Sequence, residues 1–334
     1  TSGLANPQFP VKKGEKFSEY DLEGIMVLAV RGGINDARQG THLSGYVRML
    51  KFYRFALAAR RAGKRVSNPD IVFATHTPVT VGYAGEYLAA HFNVPFIFEV
   101  RDLWPEALVN IGTLQNPFAV YLLKKMSRRF YTSADHIVAL SPGMKQGICS
   151  YNIPAEKVTV IPNSSDTHIF SPDITPAMNG LADLVGNRFS AIYFGAMGKA
   201  NGLDYVLDAA RILKEKGEDG IVFILHGSGS EKNRLISESE ESGLDNVIFS
   251  DPVSSKRELA SIVSGCDCCM TIYNAVKEET WSPNKMFDSL AAGKPVLINV
   301  GGWLGATIEK NECGIKTSPA NPAELATAVS KLAS

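Results

Sequence analysis

Along the chain, short runs of apolar residues alternate with longer segments whose apolar positions recur every three or four residues. The runs predict strands at Ile25–Val30, Asp70–Thr75, Pro95–Val100, His136–Leu140 and Lys157–Ile161. The amphipathic segments between them predict helices around 44–63, 79–91, 116–133 and 142–150. Residues 161–187 are rich in Pro, Asn, Ser and Asp and read as a break between domains. A second series follows, with strands at 190–194, 221–226, 246–250, 267–273 and 295–300. Its helices fall near 203–216, 230–242, 255–264, 284–292 and 322–333. Strands that are apolar throughout have no face to give to water, so alternation with helices implies parallel sheets covered on both sides. The expected class is α/β: two Rossmann-like parallel-sheet domains, 1–165 and 188–334, joined by a linker over 166–187. Two such units in tandem are expected to place a ligand cleft between the carboxyl ends of their strands.

The length of 334 residues suits two domains, and 45% apolar against 20% charged residues excludes a disordered chain. The longest apolar run, Ile25–Val30, is six residues, far short of the ~20 that cross a bilayer. No secretory leader opens the sequence, and five cysteines, an odd number, point to free thiols and a cytoplasmic protein. Both ends read as cut: Thr1-Ser2-Gly3 resembles a loop after a strand, and Ser334 falls in or just after a helix.

Zero net charge hides an asymmetry. Residues 1–165 hold 19 Lys and Arg against 12 Asp and Glu, and the remainder hold 15 against 22. Opposed halves point to an anionic surface for the first and a small ligand for the second. Chance distribution over two solvated surfaces is the plainer alternative. Between Val47 and Arg65 lie Arg48, Lys51, Arg54, Arg60, Arg61, Lys64 and Arg65 with no acidic residue, interleaved with Met49, Leu50, Phe52, Tyr53, Phe55 and Leu57. Cations and aromatics on one helix suit an anionic bilayer interface. They equally suit a solvated helix that packs its aromatics inward. Nothing else in the chain resembles a nucleic-acid module, so no nucleic-acid partner is expected.

Two segments carry candidate phosphate chemistry. Ala191-Ile-Tyr-Phe-Gly195-Ala-Met-Gly198-Lys199-Ala-Asn-Gly202 reads as a strand, a glycine-bearing turn and a helix start. Backbone N–H groups and Lys199 there suit an anion, although many such turns carry glycines for geometry alone. Trp281-Ser282-Pro283-Asn284-Lys285-Met286-Phe287-Asp288 predicts a helix with Ser282 as N-cap, Pro283 first and Gly293 as the stop. Lys285 lies in its first turn and Asp288 one turn on, a cation for phosphate beside a carboxylate for vicinal hydroxyls. On spacing alone, a capped structural helix with an exposed i,i+3 ion pair fits as well. Cys266 and Cys269 form a C-x-x-C inside a predicted buried strand, with neither a second pair nor clustered histidines to complete a metal site.

From Pro283 to Val296 the sequence resembles the donor-site segment of retaining glycosyltransferases of family 4, which have the GT-B fold. Supporting segments follow in the family's order: Val160-Ile-Pro-Asn163 through Phe170, Phe194-Gly195 through Gly202, and His226-Gly227-Ser-Gly229 through Leu235. Phe98-Glu-Val-Arg101-Asp102-Leu-Trp104-Pro-Glu106 is similar to a branch acting in bacterial surface-polysaccharide assembly, including N-acetyl-L-fucosamine transferases. The resemblance implies a UDP-sugar donor, with an N-acetylated amino sugar or deoxy amino sugar, and a polyprenyl-diphosphate-linked acceptor. It further implies reaction with retention, no metal or other cofactor, and work at the inner face of a bacterial plasma membrane. Diphosphate is expected at Ser282–Lys285 and near Gly195, Gly198, Lys199 and Gly227, ribose at Asp288, and the base on the backbone near Pro252-Val253. Arg101 and Asp102 are implied to orient donor and acceptor, while Trp104 packs on the acceptor or fills the core. A first strand and its glycine-rich loop are expected ahead of Thr1.

The chain departs from the family pattern. The usual spaced pair of Glu is Thr280 and Asp288, with Glu279 beside the first. A common Arg is Ala196, a common Lys is Asn201, and Arg101 stands where many relatives have His. Two further classes stay open: a nucleotide-sugar 2-epimerase, which shares the GT-B architecture and against which the basic helix speaks, and a non-catalytic partner subunit, to which the altered donor positions point.

Overall fold

The computed structural model describes residues 9–12, 14–30, 45–110, 112–178, 180–274 and 280–334; Glu279 lies outside them. The chain divides into two compact units, Thr1–Ile161 and Pro162–Ser334.

The first unit runs β1 (Phe17–Leu22), β2 (Ile25–Val30), α1 (Gly45–Gly63), β3 (Val72–Thr75), α2 (Val81–Phe92) and β4 (Phe96–Val100). It continues with α3 (Glu106–Asn110), α4 (Pro117–Ser133), β5 (His136–Ala139), α5 (Pro142–Cys149) and β6 (Val158–Val160). Four strands form a parallel sheet in the order β3-β4-β5-β6. Its helices start where the sequence supplies caps. Asn116 Oδ1 accepts from the N–H groups of Phe118 (3.0 Å) and Ala119 (3.1 Å) ahead of α4, and Ser141 Oγ accepts from Met144 (3.0 Å) ahead of α5. Each cap is followed by a proline, whose missing N–H costs nothing in a first turn. Phe96, Phe98, Phe130 and Ile137 are fully buried at the centre of this core.

The strand expected at Ile25–Val30 forms, but not as a member of the parallel sheet. It pairs antiparallel with β1, Phe17 opposite Val30, in a separate hairpin. The cause is the two-residue loop Glu23-Gly24, with φ of 52° and 83°. Two successive left-handed residues turn the chain back on itself with the twist a hairpin needs.

The second unit runs α6 (Leu181–Val185), β7 (Phe189–Ala196), α7 (Asp204–Glu215), β8 (Ile221–Ser228), α8 (Lys232–Glu241) and β9 (Val247–Ser250). It continues with α9 (Lys256–Ser264), β10 (Cys268–Thr271), α10 (Asn284–Ala291), β11 (Val296–Ile298), α11 (Gly302–Lys310), β12 (Gly314–Lys316) and α12 (Pro322–Ala333). Six parallel strands lie in the order β12-β11-β10-β7-β8-β9. The sheet is covered on both faces, by α7 and α12 on one side and by α9 and the segment leading to α6 on the other. That segment lies within the linker expected over 166–187. Phe170, Leu181 and Val185 are buried among Ile192, Ile224 and Val263, so the segment packs as part of the second unit. Apolar residues spaced through a polar stretch are enough to dock it. Cys266, Cys268 and Cys269 are buried in and just before β10 and none is bridged. Burial raises their thiol pKa values, that of Cys269 to about 12.

Candidate functional site

Chain order assigns the crevice of the second unit. From β7 the chain steps outward to β8 and β9, then crosses back to β10 and continues the other way to β11 and β12. The carboxyl ends of β7 and β10 therefore border the reversal point of the sheet, where open parallel sheets bind ligands. The two motifs singled out in the sequence follow these two strands.

They meet there. Lys285, in the first turn of α10, places its Nζ 3.7 Å from the centroid of the Tyr193 ring and 5.6 Å from that of Tyr273. Gly195, with φ of 133°, carries no side chain where a Cβ would stand 3.4 Å from the same Nζ. Packing around the amine pulls its pKa from 10.5 to about 7. The tyrosine face favours the charged form and opposes that shift. Among the described residues Lys285 makes no ion pair.

Asp288, one turn further on, is half-buried and accepts a 2.7 Å hydrogen bond from Ser165 Oγ. Burial raises its pKa, and the Ser165 hydrogen bond and Lys256 act against the rise. The i,i+3 pairing with Lys285 that spacing allowed is not formed. The cation turns to β7 and the carboxylate to the Pro162–Ser165 segment.

Ser282 departs from its expected role. The residue ahead of α10 is Pro283, with no side-chain cap. Ser282 Oγ instead accepts from the Asn163 N–H (2.9 Å), and its carbonyl accepts from Asn163 Nδ2. Asn163 and Ser165 thus brace the start of α10 from 119 and 123 positions away.

The ends of β7 and β8 lie in register, Gly195 opposite Gly227. A Cβ on Gly227 would sit 1.9 Å from the Gly195 carbonyl oxygen, so this glycine serves backbone approach. Gly198 N–H donates to Asn201 Oδ1 (3.2 Å), so the asparagine that replaces a common lysine closes its own turn. Lys199 is exposed, and its carbonyl accepts from Asn274 Nδ2 (3.3 Å). Lys232 donates to the carbonyls of Gly227 and Ser250 (both 2.9 Å) and to Asp251 Oδ1 (2.7 Å), tying the end of β8 to the loop that carries Pro252 and half-buried Val253. With three acceptors already, this amine shapes the crevice rather than offering charge to it.

In the first unit, Arg101 and Asp102 follow β4. Arg101 pairs with Glu99 at 3.5 Å, and exposed Asp102 accepts from Thr77 Oγ1 at 3.3 Å. Trp104 is half-buried and packs against the core: its ring meets that of His76 edge-on, centroids 5.3 Å apart, and its carbonyl accepts from Ser127 Oγ. Burial pulls the His76 pKa down to about 3. Tyr193, Tyr273, Asn163 and Ser165 were not among the expected site residues. Asn163, Ser165 and Tyr193 stand in segments singled out in the sequence, but only the fold brings Tyr193 and Tyr273 to Lys285. No three His, Cys, Asp or Glu side chains gather to hold a metal ion among the described residues.

Residues 27–169 match the family model described as Glycosyltransferase Family 4, and residues 188–334 that described as Glycosyl transferases group 1. The chain is 24% identical over 256 residues to a putative colanic acid biosynthesis glycosyl transferase, WcaI, of Escherichia coli (strain K12). That match covers 75% of this chain and 61% of the relative, less than two thirds of its length. It is 22% identical over 293 residues to the probable glycosyltransferase WbjE of Pseudomonas aeruginosa, covering 85% of this chain and 71% of that one. Among solved structures it is similar to Anabaena Alr3699/HepE in complex with UDP, with a TM-score of 0.61 at 16% identity over 86% of this chain and 73% of that one. The likeness shows the fold: Rossmann-like parallel-sheet units of the GT-B type.

Proposed function

The chain belongs to the glycosyltransferases, and on that premise we propose that it moves a sugar from a UDP-sugar to a glycan borne on a polyprenyl diphosphate, in bacterial surface-polysaccharide assembly. The observation that carries this reading is the meeting of Lys285 with the Gly195 turn at the reversal point of the sheet, with Asp288 one turn away. A nucleoside diphosphate needs that combination. The N–H groups opening α10 and the Lys285 ammonium take the diphosphate, with Lys199 adding charge from the neighbouring turn. Asp288 Oδ2 takes a ribose hydroxyl while Ser165 holds Oδ1, and the backbone at Val253 borders the base. HepE, a neighbour in fold, was solved with UDP.

The reaction in this reading proceeds with retention and without a metal. The acceptor oxygen bonds to the anomeric carbon on the face from which the diphosphate departs, and the acceptor proton passes to that leaving group. The protein stabilises the developing charge and positions the acceptor. Arg101 and Asp102 are the orienting residues of the first unit. The test is transfer from a panel of UDP-sugars, N-acetylated amino sugars included, to a lipid-diphosphate-sugar acceptor. No transfer and no donor hydrolysis with any of them would leave a binding protein. Asp102→Asn is expected to lower kcat at least tenfold with the fold intact. Full activity in that variant removes Asp102 from the acceptor side, and activity lost to a chelator overturns the metal-free step.

No helix among the described residues is long and apolar enough to cross a membrane. A lipid-borne acceptor then calls for docking on the bilayer's cytoplasmic face, and the first unit carries the cations for it. Arg48 and Arg54 of α1 are exposed, as are Lys64 and Arg65 beyond it; Arg60 and Lys64 lie over the ring of Tyr87 and Arg65 over that of Phe17. Each cation near an anionic surface contributes roughly 1 kcal/mol. Sedimentation with anionic vesicles is expected to fade at ~1 M salt, where the Debye length is about 3 Å, and to weaken in Arg48/Lys51/Arg54→Glu. Equal sedimentation with neutral vesicles would leave α1 a solvated face.

A further inference from the structure

On the outer side of the helices covering the first unit's sheet lies a pocket of about 280 Å³ that the reading above does not use. Its walls include Tyr53 and Arg60 of α1, Tyr83, Glu86 and Tyr87 of α2, and Arg129 of α4. The geometry of α2 sets its direction. A Cβ on Gly82 or Gly85 would meet Phe130 at 2.4 Å or Phe96 at 2.5 Å, so that side of the helix faces the core. Residues 86, 87 and 90 face away from these two glycines, while Tyr83 lines the pocket with its ring edge-on to Phe130 of the core, centroids 4.8 Å apart.

The chemistry of this face is one-sided. Helix α1 carries five Lys and Arg and α4 carries four, while these two helices and α2 hold one carboxylate, Glu86; Lys124 of α4 is paired with Glu106 of α3 at 3.7 Å. Glu86 is taken by Arg129, whose Nε and Nη2 donate to Oε2 at 3.1 and 2.8 Å. The Arg60 guanidinium lies 3.4 Å from the centroid of the Tyr87 ring, and Lys64 and Arg60 together pull the Tyr87 hydroxyl pKa down. Along α1 and α4 apolar side chains point outward: Leu50 and Tyr53 on α1 are 48% and 45% exposed, and Phe118, Tyr121 and Leu122 on α4 are 69%, 60% and 43% exposed. On α4, positions 118, 122, 125 and 129 share one face, so Arg129 stands in line with Phe118, Leu122 and Lys125.

We propose that this face docks on an anionic bilayer and that its pocket seats the phosphate of one lipid headgroup against Arg60 and Arg129. The tyrosine hydroxyls border the phosphate, and Phe118, Tyr121 and Leu122 enter the interfacial layer. The proposal rests on the membrane part of the function given above and adds to it a specific headgroup site and a second contact helix, α4. Interleaved cations and exposed aromatics on two helices of the same layer match a surface that is negative at the headgroups and apolar just beneath. Glu86 stands where the phosphate must compete for Arg129.

Neighbouring residues on α1 provide the test, because Arg60 lines the pocket and Arg61 is exposed beside it. Co-sedimentation of the full chain with mixed phosphatidylglycerol–phosphatidylcholine vesicles is compared for wild type, Arg60→Gln and Arg61→Gln, with thermal melts confirming the fold. Loss of one surface cation is expected to cost about fivefold in partitioning, and loss of a phosphate-bound guanidinium tenfold or more. Glu86→Gln is expected to bind more tightly than wild type. Equal losses in the two arginine variants overturn the headgroup pocket and leave the membrane reading standing. A wild type that ignores anionic vesicles overturns both. If it instead binds single-stranded RNA, with Arg60→Gln the weaker variant, the face belongs to nucleic acid and the proposal falls.

Discussion

Lys285→Ala is expected to weaken binding of a UDP-sugar tenfold to a hundredfold, and wild-type binding is expected to weaken as pH rises above 7. The first magnitude is the roughly 1.5–3 kcal/mol of a charge-assisted hydrogen bond to phosphate. The pH dependence follows from burial, which pulls the free amine's pKa from 10.5 to about 7. A bound diphosphate favours the ammonium and moves the pKa back up. Below pH 7 the amine already carries its proton, so this group adds no pH dependence there. Between about 7 and the raised value, binding must take up a proton, and affinity falls by up to about tenfold per pH unit. The diphosphate of a UDP-sugar is a diester and brings no titration of its own to this range. Lys285→Arg, charged throughout, is expected to bind with a flat profile. Calorimetry at pH 6.5, 7.5 and 8.5 checks both parts. Wild-type affinity that does not change from pH 7.5 to 8.5, or an alanine variant that binds like wild type, removes Lys285 from the diphosphate.

The other large effect is on stability. Gly227→Ala is expected to destabilise the second unit by about 3 kcal/mol or more. The added methyl would lie 1.9 Å from a backbone oxygen on the adjoining strand, and no side-chain rotation relieves a backbone clash. For a unit of this size the melting point falls by about 6–12 °C. Gly220→Ala is the matched control. It has nothing within 4 Å of the added methyl and its φ is not left-handed, so its melting point is expected to stay or rise slightly. A Gly227→Ala protein that melts with wild type would mean that the ends of β7 and β8 separate more easily than their register suggests.

The elements with the strongest local signal were readable from sequence. Strands β7 and β8 are long apolar runs, and helices α4 and α5 announce themselves by Asn-Pro and Ser-Pro starts. The hairpin was hidden because β1, Phe-Ser-Glu-Tyr-Asp-Leu, is mostly polar and its partner reads as a buried parallel strand. Strand β12 has three residues and α11 opens on paired glycines, so neither rises above the pattern of a loop. At the site, Lys285 and Asp288 were legible because first-turn position and one-turn spacing are local properties. What each side chain touches was not. Whether they pair with each other or with Tyr193 and Ser165 depends on residues about 90 and 120 positions away, which only the closed sheet brings together.

The cysteines give the second sheet an internal reporter. Cys266, Cys268 and Cys269 are buried, whereas Cys149 and Cys313 keep partial exposure. An alkylating reagent reacts with thiolate, so burial and a raised pKa together withhold the three from it while the sheet is closed. Their labelling must wait for β10 to open, and β10 lies between β7 and β11 in the middle of the sheet. Mass-resolved counting of labelled thiols over time therefore measures the opening free energy of the second unit's core without any engineered probe. A ligand that clasps the ends of β7 and α10 should slow the appearance of the triply modified species and leave the rate at Cys149 as it was.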